Sequence, residues 1–173
     1  MRRLIDGHAH IVTPHRLPWT DALTQATRLP YGRLRAPDGS VRSFLPPCFA
    51  DSCFPVESLI AVMDQYQVEK AAVMAHLEGD VCETACDALQ RYPDRLSTAI
   101  SLEPKAESIE KLHYWFHKGI RILKFEMRGM YEMYPGLTVA DPGILAMIGA
   151  AERLGMDTVR NDVAALLGGN DST

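Results

Sequence analysis

The feature that most constrains this chain is a repeated alternation of short apolar runs with longer helical patterns. Apolar runs occupy Leu4–Gly7, Ala71–Ala75, Thr98–Leu102 and Arg121–Phe125, and a fifth lies at Met156–Val159. Runs this continuous suit strands covered on both faces, as in parallel sheets. The stretches between them carry helix punctuation. Pro55 can occupy the first turn ahead of Val56–Tyr66. Asp80 stands three residues before Glu83, the spacing of a capping box, and that helix ends near Tyr92-Pro93. Lys105–Lys118 runs to Gly119, while Asp141 caps, Pro142 starts and Gly155 ends a helix over Gly143–Leu154. Strand and helix alternate four times, which predicts an α/β fold of about five parallel strands with outer helices.

One stretch breaks the rhythm. Residues 11–54 contain Pro30-Tyr31-Gly32 and Pro37-Asp38-Gly39 and show little periodicity, so they read as a long loop insertion. The insertion leaves the C-terminal end of the first strand, where parallel barrels build their active sites. It is either a functional lid or a segment that covers the barrel.

The chain's 173 residues suit a single domain. A formal charge of −4 offers no attraction to nucleic acid or to an anionic membrane. Met1-Arg2-Arg3 is not followed by an apolar h-region, and no window reaches the roughly 18 apolar residues of a membrane span. The expected compartment is the cytoplasm. Cys48, Cys53, Cys82 and Cys86 are accordingly expected as reduced structural thiols. Cys82 and Cys86 share a helix face, but zinc would need two further ligands beside them.

The chemistry concentrates at the N-terminus. In Leu4-Ile5-Asp6-Gly7-His8-Ala9-His10 the strand period of two places Asp6, His8 and His10 on one side. Two imidazoles from one strand end can converge on a divalent metal, with Asp6 orienting a ligand from behind. Zinc is the default for neutral imidazole ligands, with iron, manganese and nickel as alternatives. Two partly exposed histidines near a strand end is the plainer account of the same residues.

That first segment resembles the first-strand motif of the amidohydrolase superfamily. Leu59–Asp64, Val68–Val73, Tyr92–Leu96, Gly119–Phe125 and Ala151–Met156 then follow in the order of its amidohydrolase-related branch. This branch includes hydrolases and nonoxidative decarboxylases of the aminocarboxymuconate-semialdehyde type. The resemblance spans roughly Leu4 to Val159 and implies a (β/α)₈ TIM-like barrel with metal at its C-terminal face. His8 and His10 match the first two metal ligands. The implied reaction is hydrolysis of a carbon–nitrogen or ester-like bond in a small molecule by metal-activated water, with decarboxylation as the alternative.

The resemblance also implies a histidine at the end of strand five, where Arg160-Asn161 stands instead, and an aspartate from strand eight. The chain passes directly into Asp162–Asn170, which resembles the family's terminal helix (161–168 here). This pattern reads as an incomplete barrel truncated after strand five, with about three strands missing against a typical length of about 250 residues. A half barrel would expose two sheet edges and an apolar inner face, so homo-oligomerisation or association through those edges is expected. A catalytically silent chain acting through association is therefore the reading from a different functional class. No catalytic residue is identified. His76, just past strand two, and Lys124 and Glu126, on one face of strand four, are the candidate substrate-binding residues. His113 and His117 lie four apart on a helix, and an outer helix face explains them better than a metal clamp.

Overall fold

A computed structural model describes residues 4–21, 25–76, 80–126 and 134–161. The chain divides into two compact units, Met1–Glu69 and Lys70–Thr173.

The first unit opens with β1 (Leu4–Ala9). It continues through β2 (Trp19–Thr20), β3 (Thr27–Leu29), β4 (Arg33–Arg35) and β5 (Val41–Ser43) to α1 (Val56–Gln65). Strands β2 to β5 form an antiparallel sheet in chain order, so the stretch expected as a loop contains a small meander. Strands of two and three residues are too short for a period of two to register in sequence. The turn residues were the legible part. Gly39 (φ +84°) follows Asp38, whose Oδ1 accepts the Ser40 N–H at 2.9 Å, and this turn joins β4 to β5. Gly32 (φ +66°) turns β3 into β4, and its N–H donates to Ser52 Oγ at 2.8 Å.

The excursion closes on itself. Val12 and Phe54 form an antiparallel bridge through reciprocal N–H···O bonds of 2.8 and 2.9 Å. Inside it, the Arg28 guanidinium lies 4.8 Å from the Trp19 ring centroid and donates to the Thr13 carbonyl at 2.7 Å. His15 stacks on Trp19 with centroids 3.9 Å apart. α1 buries Val56, Leu59 and Met63, a helical stripe.

The second unit holds most of the barrel-type pattern. It runs β6 (Val68–His76, beginning at the end of the first unit), α2 (Asp80–Arg91), β7 (Leu96–Ser101), α3 (Ser108–His117), β8 (Ile122–Glu126), α4 (Pro142–Leu154) and β9 (Asp157–Asn161). β6 to β9 pair in parallel and in chain order. With β1 ahead of them the chain carries five strands in chain order, the incomplete (β/α)₈ pattern that the apolar runs predict. α4 shows the expected caps: Asp141 Oδ1 accepts the Gly143 N–H at 2.8 Å, Pro142 sits in the first turn, and Gly155 ends the helix at φ +70°. α2 begins at Asp80, whose side chain, expected in a capping box, lies outside the described set, as do residues 162–168 of the expected terminal helix, while Asn161 ends β9. Among the described residues no helix is long and apolar enough to cross a membrane.

Register assigns the two faces of this sheet. Thr98 Oγ1 lies 3.5 Å from the Ala85 carbonyl of α2, so its side of the sheet meets the helices. Val73 pairs with Thr98, and Ala75 with Ile100, which pairs with Leu123, placing Val73, Ile100, Leu123 and Phe125 in the helix-facing core. The opposite, inner face carries Ala72, Met74, Ser97, Ala99, Ser101, Ile122 and Lys124. An apolar inner face left bare was expected. The described residues there are instead mostly small or polar, and Met74, Ala99, Ser101 and Lys124 are buried.

Candidate functional site

At the end of β1 the structure brings His8 and His10 together. Their Nε2 atoms lie 2.9 Å apart, one ring nitrogen donating to the other, with ring centroids at 4.8 Å and planes at 62°. Both side chains are exposed, whereas Ala9 between them is buried, as strand alternation requires. Asp6 is also exposed, and its Oδ1 accepts the His8 backbone N–H at 2.9 Å. Asp6 therefore holds the main chain that carries His8.

The spacing of these nitrogens tests whether the pair fits a metal. Two imidazole nitrogens, each about 2.0–2.1 Å from a shared tetrahedral ion, stand about 3.3 Å apart, and about 2.9 Å apart only when they subtend a right angle. At 2.9 Å the two rings share a hydrogen bond, and they need to part by only about 0.4 Å to stand as neighbouring ligands of one tetrahedral ion. Among the described residues, no group of three or more His, Cys, Asp or Glu side chains gathers as a metal cage.

The second unit carries its own polar row. Position 76 pairs with Ser101, Lys124 with position 159, and position 126 with position 161. Since Ile100 pairs with Leu123, Ser101 and Lys124 are side by side on the inner face. Positions 76, 101, 124, 126 and 161 thus share that face at or near the C-terminal strand ends. Lys124 is 1% exposed and Ser101 3% exposed. A lysine so deeply buried is costly to keep unless it is paired or serves a site. Of the three substrate-binding candidates, His76, Lys124 and Glu126, the register puts all three positions on one face. It adds Ser101, which the alternation of Ser97, Ala99 and Ser101 places on the same face.

The end of β9 carries Arg160-Asn161, paired with Phe125 and Glu126. A non-histidine pair therefore occupies the strand end where the resemblance implies a ligand. His113 and His117 are exposed on α3, whose opposite side buries Leu112 and Trp115. They belong to an outer helix face. Cys82 and Cys86 are buried and outside any disulfide. Burial, helped by the Glu83 charge, pushes the Cys86 thiol up, which suits an inert structural thiol.

No protein-family model and no curated protein matches the chain. Among solved structures it is similar to a probable 2-pyrone-4,6-dicarboxylic acid hydrolase from Acinetobacter baumannii, determined with citric acid bound. The TM-score is 0.55 at 15% identity, over 92% of this chain and 49% of that one. At that identity the likeness establishes the fold, an incomplete TIM-like (β/α) barrel, and the chain spans about half the length of its structural neighbour.

Proposed function

We propose that this chain is the histidine-bearing part of an amidohydrolase-superfamily hydrolase of the amidohydrolase-related branch. In this reading His8 and His10 hold a divalent metal, zinc by preference. The observation that carries it is the 2.9 Å approach of the two Nε2 atoms at the end of the first strand. The similarity in fold to a protein described as a hydrolase supports the same reading.

A metal held there would supply a Lewis acid and a water acidified toward neutrality. The chain's own residues have separate tasks. Asp6 holds the His8 backbone N–H and so sets the direction in which the first imidazole leaves the strand. Within the second unit, Lys124 and Ser101, side by side on the inner face, are the candidate contacts for a small-molecule substrate. The substrate bond is of carbon–nitrogen or ester-like type.

Two imidazoles alone make a labile site, because working zinc sites supply three or more protein ligands. Calorimetric titration with zinc is expected to show one weak, saturable ion per chain. Alanine at either histidine should weaken it by about tenfold or more, and the double variant should abolish it. Equal zinc uptake by the double variant would remove the basis of the proposal.

A further inference from the structure

A second feature of the C-terminal unit is independent of the histidine pair. The loops that follow β7 and precede α4 enclose a surface cavity of about 330 Å³, lined by Pro104, Lys105, Tyr134, Pro135, Leu137 and Asp141 among others. That volume lies within the range of small-molecule sites, about 300–1,000 Å³. We propose that this cavity binds a small zwitterion of the amino-acid type, its carboxylate on Lys105, its ammonium on Asp141 and its apolar part between the prolines and Leu137.

The walls are held before any ligand arrives. Glu103 takes Tyr134 Oη–H on Oε1 at 2.6 Å and Lys105 Nζ on Oε2 at 2.8 Å, so one carboxylate ties the two loops together. Lys105 Nζ also lies 5.7 Å from the Tyr134 ring centroid. A second tie is steric: a Cβ on Gly143 would come within 2.2 Å of the Pro104 carbonyl oxygen, so the first turn of α4 and the loop after β7 approach at backbone distance. Preorganised walls reduce the ordering cost of binding.

The charges decide the ligand class. Lys105 has three donors, and Glu103 takes one of them; the Glu103 hydrogen bond holds its ammonium charged beyond the usual lysine range. Asp141 gives one oxygen to the Gly143 cap, and a carboxylate accepts several donors. One cationic and one anionic group therefore face the same space. Lys105 keeps donors beyond the one that Glu103 takes, and Asp141 keeps acceptor sites beyond the cap, so a zwitterion adds a partner at both groups where a singly charged ligand adds one.

The test uses the whole chain and three probes of matched apolar shape: L-leucine, 4-methylpentanoate without the amine, and 3-methylbutylamine without the carboxylate. Binding is followed by amide NMR shifts at Lys105, Tyr134 and Leu137. L-Leucine is expected to bind about tenfold more tightly than either single-charge probe. Lys105→Gln and Asp141→Asn should each reduce it to their level. Asparagine caps helices about as well as aspartate, so α4 stays intact in the second variant. The proposal fails if L-leucine produces no shifts at those residues, if a single-charge probe binds equally well, or if both variants bind L-leucine like the parent.

Discussion

Gly32 and Gly39 offer a paired test of how the inserted meander is built. Both have positive φ, +66° and +84°, so alanine at either position meets the left-handed penalty of about 1 kcal/mol. Their surroundings differ. A Cβ at Gly39 has nothing within 4 Å, whereas one at Gly32 would fall 2.2 Å from the Leu45 carbonyl oxygen. That oxygen is backbone and cannot swing away, so the β3–β4 turn must shift in Gly32→Ala. The shift breaks the bond from the Gly32 N–H to Ser52 Oγ, whose side chain is fully buried, at a further cost of about 1–3 kcal/mol. The Gly32 carbonyl, which accepts from Phe44 and Leu45, moves with it. Gly39→Ala should therefore cost about 1 kcal/mol and Gly32→Ala about 3. At roughly 2–4 °C per kcal/mol for a chain of this size, the melting shifts are about 2–4 °C and about 6–12 °C. Trp19 lies in the meander and the chain has two tryptophans, so Trp115→Phe leaves Trp19 fluorescence as the reporter. Equal losses for the two glycines would refute the packing argument and leave only the φ penalty.

Other outcomes follow from the same geometry. Asp141→Ala removes the α4 cap and should cost about 1 kcal/mol in thermal unfolding, while Asp141→Asn should cost a few tenths, reflecting the lost charge at the helix start. The Lys105 hydrogen bond, then that of Tyr134, holds the Glu103 carboxyl below its ordinary value of 4.5. Its contribution is thus complete above that value and is lost as pH falls through the lowered one, so melting temperature should fall more steeply in acid for the parent than for Glu103→Gln. Leu4 and Ile5 on β1 are 54% and 64% exposed, and the parent is expected to self-associate in sedimentation more than the Leu4→Thr/Ile5→Thr variant. A monodisperse parent would contradict that expectation.

The barrel-type half of this fold was legible because its strands are covered on both faces. Ala71–Ala75 is apolar at every position and Arg121–Phe125 carries Ile122, Leu123 and Phe125, and such runs have few other readings. α4 was legible through Asp141, Pro142 and Gly155, each of which acts locally. The meander was not, since β2 to β5 are held by Arg28 against Trp19 and by Ser52 across the β3–β4 turn, contacts that span 9 and 20 residues in sequence. The approach of His8 to His10 was readable from strand alternation, which puts both on one side of the first strand. Ser101 joins Lys124 only through the registers of β6, β7 and β8, which depend on strand pairing that no local pattern specifies. The contact that Asp6 makes, to the backbone N–H of His8, was beyond a period-two argument, which places side chains and says nothing of a side chain folding back onto its own backbone.

The central claim is that the Nε2 atoms of His8 and His10 converge on one divalent ion. Long-range ¹H–¹⁵N NMR of the six histidine rings during zinc titration tests it directly. The account predicts that the Nε2 resonances of His8 and His10 move together and saturate at one ion per chain, while those of His113 and His117 stay in place. Zinc shifts that appear on His113 and His117, or that leave His8 and His10 unmoved, would contradict it.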